Sequence, residues 1–255
     1  MLLYQANNSM ESGHFHYDFY DDFYYIPHFH EYYEITIVLE GEVIVQTGTD
    51  EERIRAHDMA FILPNQIHAY RTPASSKALV ALFSTDLVNT FYAETKGRAP
   101  DRTVFTCDAP VFQYICNTIL GEPTLYELKS CLYALCGAYA RQASFHTVSH
   151  DDDLLVRKIM EYIAAHFTEN ITLKGMAKSL GYHPGYVSRC FNHYVQRNFR
   201  SFLNEYRVEY AKSVLVSTAM SVSEVALECG FETIRSFNRA FKTVTGQTPS
   251  ALRNR

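Results

Sequence analysis

The sequence contains no tryptophan, no C-x-x-C pair and no long apolar run. A membrane-spanning helix needs about 18 or more consecutive apolar residues, and no segment approaches that length. The opening residues, MLLYQANNSMESG, lack the basic segment and apolar segment of a secretory signal. Six cysteines without paired spacing indicate reduced, mostly buried thiols. We therefore expect a cytoplasmic protein without a membrane partner.

Positive charge is scarce in the first part of the chain and abundant in the last. Residues 1–150 carry nine Lys and Arg against 18 Asp and Glu, a net charge of −9. Residues 151–255 carry 14 against ten, a net charge of +4. A length of 255 residues favours two domains. The charge asymmetry favours a polyanionic partner for the second domain only.

Residues 34–83 have the alternating pattern of a β domain. EITIVLEGEVIVQTG contains two runs rich in Ile and Val around residues 40–42, which predicts a hairpin there. RIRAHDMAFILP and KALVALFST predict further strands, bounded by turn-forming residues. We expect a small antiparallel barrel or sandwich within residues 1–108.

Residues 109–145 predict helices instead. A helix of about 110–120 is followed by an apolar seam with steps of 3, 4, 3 and 4: Leu125, Leu128, Leu132, Leu135 and Tyr139. We interpret this seam as a homodimer interface, and the alternative is that it packs on its own barrel. The polar residues 146–154, which end in Asp151–Asp153, predict a linker.

The last hundred residues, 155–255, contain an internal repeat. LKGMAKSLGYHPGYVSRCF and VSEVALECGFETIRSFNRAF align with an offset of 49 residues over their first halves. In each copy, Gly181 or Gly230 ends a first short helix, and a second helix of about 183–195 or 233–245 follows. Ser221 and Glu224 form a capping-box pattern. Each copy therefore predicts a helix-turn-helix unit in an all-α domain.

The second helix of each unit has one apolar face and one polar face. Val187 and Phe191, and Phe237 and Phe241, predict the inner faces. The outer residues are the candidates for DNA contact: Gly185, Ser188, Arg189 and Asn192 in the first unit, and Ile234, Arg235, Ser236, Asn238 and Arg239 in the second. Arg can bind guanine and Asn can bind adenine in the major groove. The alternative is a pair of solvated helix faces.

These segments resemble the AraC/XylS family of transcription regulators. IMEYIAAHF, FLNEYRVEYAKSVL and the two repeat units match that family's DNA-binding domain. The resemblance implies a bridging helix at about 199–215 and two recognition helices in successive major-groove segments of double-stranded DNA. It also implies contact with RNA polymerase. Gln196 replaces the glycine found at Gly246, so the first recognition helix is expected to end differently. Glu232 is interpreted as a helix cap.

The first half contains four residues that suit a divalent metal or an effector pocket: His28, His30, Glu34 and His68. The pattern around the first three resembles the first cupin motif, and DMAFILPNQIH resembles the second. In that second motif Asn65 replaces glycine, which is tolerable because Asn also adopts positive φ. Three imidazoles and a carboxylate suit iron, zinc, nickel or manganese. In regulators of this family similar residues often border the effector pocket without metal, so we expect no required cofactor.

The segment FHYDFYDDFYYIPHF is dense in Tyr and Phe. Aromatic faces with Asp18, Asp21 and Asp22 between them would suit a sugar, whose hydroxyls need acceptors. The alternative is that these rings form core at the barrel mouth. Carbohydrate is therefore the first effector candidate.

Taken together, the sequence predicts an α+β multidomain protein that is no enzyme. A cupin-like sensor barrel with dimerisation helices precedes two helix-turn-helix units, and a small-molecule effector controls sequence-specific DNA binding. Two alternatives stay open: a metal-dependent cupin enzyme or metal sensor that carries a DNA-binding module, and a nucleoid-type DNA binder without an effector.

Overall fold

A computed structural model describes residues 12–147 and 150–253. It shows a sheet-rich N-terminal unit and a helical C-terminal unit, which meet in the sequence at His150 and Asp151. The two units are therefore the expected α+β arrangement. Among the described residues, every helix is too short or too polar to cross a membrane.

Ten strands occur among the described residues. They are β1 (Phe15–Asp21), β2 (Tyr25–His28), β3 (Tyr33–Thr47), β4 (Asp50–Arg55), β5 (Met59–Ile62), β6 (His68–Arg71), β7 (Ser76–Phe83), β8 (Arg98–Pro100), β9 (Val104–Phe105) and β10 (Phe145–Thr147). The main sheet has the order β1-β7-β3-β5-β9, while β4 and β6 also pair with β3, and β2 pairs with β6. Strand β3 thus belongs to two layers of an antiparallel barrel-like fold.

The hairpin expected at residues 40–42 is wrong, because β3 runs through them as one strand. Its first part pairs with β5 and β7, and its second part pairs with β4 and β6. Gly41 lies at the change of partner with φ of 72°. A Cβ atom there would lie 2.1 Å from the carbonyl oxygen of Ser75. Glycine is therefore needed for a bend and a close backbone approach, not for a turn.

Alternation along β3 separates two cores. Ile35 and Ile37 point outward into the core beneath the helices, whereas Val38 points into the barrel. The barrel interior contains an apolar cluster that includes Val43. Glu34 and Thr36 share the inward face of β3 and lie in a polar region. The interior of the barrel is therefore apolar around Val43 and polar around Glu34.

The N-terminal unit has three α-helices among its described residues: α1 (Asn89–Thr95), α2 (Ala109–Leu120) and α3 (Leu125–Ala140). Asp108 caps α2, and Thr124 with Glu127 forms a capping box on α3. A 3-10 helix, Thr85–Val88, precedes α1.

The apolar seam on α3 is not the dimer interface that we expected. Leu128, Leu132, Leu135 and Tyr139 lie in the core of their own unit, where Tyr139 packs edge-on against Phe61. Of the seam residues, Leu125 is the exposed one. The stripe is buried in a core that α3 shares with α2 and with residues of the sheet, so its apolar surface is removed from water within its own unit.

The linker expected at residues 146–154 is largely replaced by regular structure. His146 and Thr147 pair with β8. Residues 150–154, which were expected to belong to the linker, form the start of helix α4 (His150–His166). Residues 148–149 of the expected linker lie outside the described residues.

The regular secondary structure of the C-terminal unit is entirely α-helical among its described residues. After α4 come α5 (Leu173–Leu180), α6 (Pro184–Val195), α7 (Phe199–Ser217), α8 (Val222–Glu228), α9 (Ile234–Thr245) and α10 (Pro249–Arg253). Helix α7 bridges the two repeat units: Phe202 packs against Phe191 of the first, and Val208 lies in one core with Phe241 of the second.

Candidate functional site

The first helix-turn-helix unit consists of α5 and α6. Thr172 caps α5, and Gly181 ends it in the left-handed conformation with φ of 76°. The ring of His183 accepts a hydrogen bond from the backbone N–H of Gly185 and caps α6. Val187 is fully buried on the inner face of α6, as the sequence predicts.

The outer face of α6 offers few side chains for base contacts. Gly185 and Asn192 are exposed, and Ser188 is half-buried. Arg189 is also exposed, and its guanidinium lies 5.8 Å from the ring centre of Tyr186. The face therefore carries one cation and one amide, with no side chain at Gly185.

The second unit consists of α8 and α9 and has stronger helix caps. Ser221 and Glu224 form the predicted capping box at the start of α8. Thr233, not Glu232, caps α9 by accepting a hydrogen bond from the N–H of Ser236. Glu232 instead accepts a hydrogen bond from the amide of Asn170, so its interpretation as the cap is wrong.

The outer face of α9 is richer in groups that can contact DNA. Ile234, Arg235, Asn238 and Arg239 are exposed, and Ser236 is half-buried with its hydroxyl donating to the carbonyl of Thr233. The opposite face buries Phe237 and Phe241 completely. Burial of the aromatic face fixes which side of α9 remains outside.

The first recognition helix ends in the same way as the second, against expectation. Gln196 adopts the left-handed conformation with φ of 54°, and Gly246 does so with φ of 73°. The side-chain amide of Gln196 donates to the carbonyl of His193 at 2.8 Å. A local hydrogen bond thus accompanies the left-handed cap that glycine adopts without steric cost.

Arg207 is a positioning residue that the sequence pattern did not single out. Its guanidinium on α7 is buried and donates to the carbonyls of Phe167 and Glu169, and it lies 5.6 Å from the ring centre of Phe231. These contacts join the end of α4 to the second unit. A charged residue on the inner side of a bridging helix is the signal that could have revealed it.

The four candidate ligands in the sensor unit come together in space. His28 ends β2 and pairs with His68 at the start of β6, His30 lies between β2 and β3, and Glu34 lies on β3. One potential ligand atom from each residue lies within 4.8 Å of the other three. His28, Glu34 and His68 are buried, and His30 is partly exposed.

Each imidazole is oriented by a backbone carbonyl. His28 Nδ1 lies 3.0 Å from the oxygen of Ile26, and His68 Nδ1 lies 2.8 Å from that of Gln66. His30 Nδ1 lies 3.1 Å from the oxygen of Tyr32. A carbonyl can only accept, so the proton of each bond belongs to Nδ1. The three Nε2 atoms are the ones that converge.

Glu34 is held by residues on the inward face of the barrel. Its Oε1 accepts from the Tyr70 hydroxyl at 2.5 Å and from the Thr36 hydroxyl at 3.3 Å. Its Oε2 lies 3.2 Å from His30 Nε2 and 3.6 Å from His68 Nε2. The sequence analysis missed Tyr70 and Thr36, although each lies two residues after a candidate ligand and therefore on the same strand face.

Burial and charge set the protonation states of this cluster. Burial, reinforced by His68 and His30, lowers the pKa of His28 well below its ordinary value, which keeps that ring neutral. Burial alone would raise the pKa of Glu34, but the charge of His68 and the hydrogen bond of His30 outweigh it and hold the pKa well below its usual range. Burial and Glu34 raise the pKa of Tyr70, so its hydroxyl remains a donor.

The loop of the second cupin-like motif is hydrogen-bonded to the segment of the first motif. Asn65 has φ of 65°, which confirms that asparagine takes the place of a glycine here. Its backbone N–H donates to the carbonyl of His30 at 2.7 Å. The two motif segments are therefore positioned against each other by backbone as well as by side chains.

The aromatic segment is divided between core and surface. Phe23 and Phe29 are buried, whereas Phe19 is 58% exposed. Asp22 Oδ1 accepts a hydrogen bond from the backbone N–H of Ser76. Tyr20 lies near Asp18 and Glu34, and burial together with both carboxylates raises its pKa to about 12.

Asp18 is an acidic residue of this segment that lies near Tyr20. Its carboxylate contacts His16 Nε2 at 3.0 Å. His16, Asp18 and Tyr20 alternate along β1 and share one face of the strand. That face extends the polar region around Glu34.

Comparisons with known proteins agree with the two units. Residues 14–154 match the model of the AraC-like ligand binding domain, and residues 176–255 match that of a helix-turn-helix domain. YobQ of Bacillus subtilis, an HTH-type transcriptional regulator, is 24% identical over 90% of this chain and 89% of its own length.

HTH-type transcriptional regulators of Staphylococcus aureus are 34% identical over 43% of this chain. The chain covers only 14% of the length of those relatives. The crystal structure of ToxT from Vibrio cholerae has the same fold, with a TM-score of 0.58, 14% identity, and coverage of 93% of this chain and 96% of that one. Another ToxT structure contains an unsaturated fatty acid.

The first match covers more than half of the chain, and the second covers the region that carries the helix-turn-helix repeat. The chain therefore belongs to the AraC family of transcriptional regulators, with a ligand-binding unit followed by a DNA-binding unit.

Proposed function

We propose that this regulator binds a specific double-stranded DNA sequence through both helix-turn-helix units and that a small molecule bound in the barrel controls this binding. The outer face of α9 carries the proposal: Arg235, Asn238 and Arg239 are exposed together on a helix whose opposite face is buried. Arg and Asn are the side chains suited to bidentate contacts with guanine and adenine.

We propose that each helix-turn-helix unit contacts its own segment of the DNA. In the first unit, Arg189 and Asn192 are the remaining candidates for base contact, with Ser188 beside them and Gly185 allowing close backbone approach. In the second unit, Ile234 and Ser236 complete the face. A bridged pair of recognition helices suits two major-groove segments about one helical turn, or about 34 Å, apart.

The polar end of the barrel is the proposed effector site. Its inward groups include Glu34, Tyr70, Thr36 and the β1 residue Tyr20. These hydroxyl and carboxylate groups suit a small oxygen-rich ligand, so carbohydrate remains the first candidate.

An effector can act only if it prefers one arrangement of the regulator. A ligand with equal affinity for both DNA-binding states would change neither population. Thermal unfolding with a panel of sugars, with an unsaturated fatty acid as comparison, tests the ligand class. Stabilisation by a sugar alone supports the proposal, and stabilisation by the fatty acid alone contradicts it.

We also propose a cytoplasmic homodimer that contacts RNA polymerase, with a different dimer surface from the one expected. The start of α3 exposes Tyr126 at 85%, on the side opposite the buried seam, and the seam residue Leu125 at 54%. We expect Tyr126→Glu to shift sedimentation from dimer to monomer at micromolar concentration. Arg98→Glu, at an exposed residue on β8, is the charge control away from this surface. A wild-type monomer would contradict the homodimer, and a Tyr126→Glu dimer would contradict this surface.

The enzyme alternative makes a different prediction from the regulator. A regulator gives salt-dependent enrichment of a few chromosomal fragments from fragmented host DNA, because phosphate contacts release counterions and base contacts select the sequence. Uniform recovery of all fragments would instead support the nucleoid-type binder. Recovery of no DNA, together with turnover of a small molecule by the purified protein, would support the enzyme.

A further inference from the structure

We propose that helix α4 and the loop after it fix the separation of the two recognition helices, and that this separation decides which spacing of DNA segments the protein accepts. We call residues 150–170, which comprise α4 and the start of that loop, the α4 segment. Asp152 within this segment and Arg207 on α7 are the two positioning residues. The inference rests on the proposed function, because spacing matters only if both units contact one DNA site.

The first end of the α4 segment is hydrogen-bonded to the first recognition helix. The Tyr186 hydroxyl on α6 donates to Asp152 Oδ1 at 2.6 Å. The Cys190 thiol donates to the backbone oxygen of Asp152 at 3.4 Å. Tyr186 and Cys190 are four residues apart and therefore lie on the same face of α6. Two contacts one turn apart restrain the rotation of α6 as well as its position.

Tyr186 also connects Asp152 to a candidate for base contact. The Arg189 guanidinium lies 5.8 Å from the ring centre of Tyr186, which is within the range of a cation–π contact. Arg189 is exposed, whereas Tyr186 is half-buried. A change in the position of the Tyr186 ring would therefore change the surface on which Arg189 lies.

The other end of the α4 segment is held by Arg207. Its Nε donates to the carbonyl of Phe167 at 2.6 Å, and its Nη2 donates to that of Glu169 at 2.7 Å. The guanidinium is buried, so a side chain without donors at this position would remove both bonds from a site that water reaches poorly. The Phe167 ring also packs against Tyr206 and Tyr210 of α7. The loop is therefore fixed to α7 by backbone and side-chain contacts.

The same loop lies directly against the turn that precedes the second recognition helix. A Cβ atom on Gly230 would lie 2.5 Å from the carbonyl oxygen of Thr168 and 2.7 Å from its Cα. Only glycine permits so close an approach of two backbones. Glu232 accepts a hydrogen bond from the Asn170 amide at 3.3 Å. The α4 segment thus contacts the chain immediately before α9 begins.

Ring contacts connect Arg207 to α9 itself. The guanidinium lies 5.6 Å from the ring centre of Phe231, and that ring lies 5.2 Å from the ring of Phe237, which is fully buried on α9. Protein interiors are close-packed, so a displaced ring displaces its neighbours. Arg207 therefore positions the second recognition helix, as Asp152 positions the first.

The α4 segment is long enough to set a distance between the two helices. At about 1.5 Å per residue, the helical part from Asp152 to His166 is about 21 Å long. DNA repeats every 10–10.5 bp or about 34 Å, so one added base pair moves a segment by about 3.4 Å and rotates it by about 35°. Recognition helices held at a fixed separation cannot follow that change, so the protein accepts one spacing.

The alternative is that the bridging helix α7 alone fixes the separation. Asp152 and Arg207 would then stabilise the unit without affecting DNA spacing. Their substitution would lower the unfolding temperature and leave the preferred spacing unchanged. The preference for spacing therefore separates a positioning role from a purely structural one.

The test measures the affinity of the full chain for a duplex selected from a random-sequence library. The same duplex with one base pair added or removed between its two segments is measured beside it. We expect the wild type to bind each altered duplex at least about tenfold more weakly, because one segment loses its base contacts. Arg207→Met should bind the selected duplex more weakly and discriminate against the altered ones by less than about threefold. Lys212→Met, at a cation of α7 that bonds to Glu209 on the same helix, should keep the wild-type preference.

Conservative variants keep the test decisive if Arg207→Met does not fold, which circular dichroism checks. Arg207→Lys keeps the charge but loses the planar fork, so its discrimination should lie between those of the wild type and Arg207→Met. Tyr186→Phe removes only the hydroxyl bonded to Asp152 and should lower discrimination by at least about twofold. Asp152→Asn can still accept that hydrogen bond and should keep the wild-type preference.

The outcomes separate this inference from the proposed function. Folded Arg207 and Tyr186 variants that keep the full wild-type preference for spacing would overturn the positioning roles and leave DNA recognition intact. A wild type that binds every altered duplex as well as the selected one would also overturn them. A wild type that selects no sequence from the library would instead contradict the proposed function itself.

Discussion

The two helix-turn-helix units share one frame but differ in what they present to DNA. Both bury aromatic or aliphatic residues on the recognition helix, and both end that helix in a left-handed residue. The second unit exposes Arg235, Asn238 and Arg239, whereas the first exposes Arg189 and Asn192 and has glycine at position 185. The two recognition helices are therefore alike on their buried faces and different on their outer faces.

This difference implies unequal roles in DNA recognition. Packing residues decide whether a unit forms, and outer residues decide what it recognises. We infer that the second unit supplies most of the base discrimination and that the first unit mainly adds affinity and register. Each prediction below compares matched positions in the two units.

The largest effect is expected in the shared frame. Phe191 and Phe241 are both fully buried, and replacement of either by alanine should lower the free energy of unfolding by about 3–5 kcal/mol. Chemical denaturation of the two variants measures these losses. A cost below about 1 kcal/mol for one of them would show that the two units are not equivalently packed.

The next effect concerns base recognition by Arg239. Substitution with alanine should weaken binding to the specific site by about 1–3 kcal/mol and relax base preference in one segment. Arg189→Ala is the matched variant in the first unit, and we expect a smaller loss with a weaker change of base preference in the other segment. Fluorescence anisotropy with specific and scrambled duplexes measures both. Unchanged affinity of the Arg239 variant on its specific site would remove this role.

The smallest effect is expected at the two helix ends. Gly246→Ala should be destabilising by about 1 kcal/mol, because a Cβ atom at positive φ is strained although no atom lies within 4 Å of it. Gln196→Gly should change stability by less than about 1 kcal/mol, because relief of strain is offset by loss of the bond to His193 and by chain entropy. Thermal unfolding measures both variants. A larger loss for Gln196→Gly than for Gly246→Ala would contradict the shared left-handed cap.

Local patterns predicted the C-terminal unit well because helix ends and repeats are encoded locally. Ser221 and Glu224 form the expected capping box, and Gly181 ends its helix as expected. The cap of α9 could also have been predicted, since Thr is a favoured N-cap residue and Glu is not. In the structure Thr233 caps the helix and Glu232 accepts from Asn170.

Tertiary context decided the features that the sequence analysis missed in the sensor unit. Gly41 is typical of a turn, but the neighbouring backbone of Ser75 makes it a bend within one strand. The stripe around Leu132 has the spacing of a helix-helix interface, but the apolar surfaces that bury it, on α2 and the sheet, belong to its own unit. Pairing of His28 with His68, which brings the candidate site together, is a contact between distant segments and was inferred through family resemblance alone.

The central claim is that two unequal recognition helices read one DNA site. Selection of bound duplexes from a random-sequence library, done with the wild-type protein and the Arg239→Ala variant, tests it most directly. The account predicts two enriched segments about 10 bp apart, with the stronger one weakened in the variant. Enrichment of a single segment, or a variant that selects the same two segments with the same strength, would contradict it.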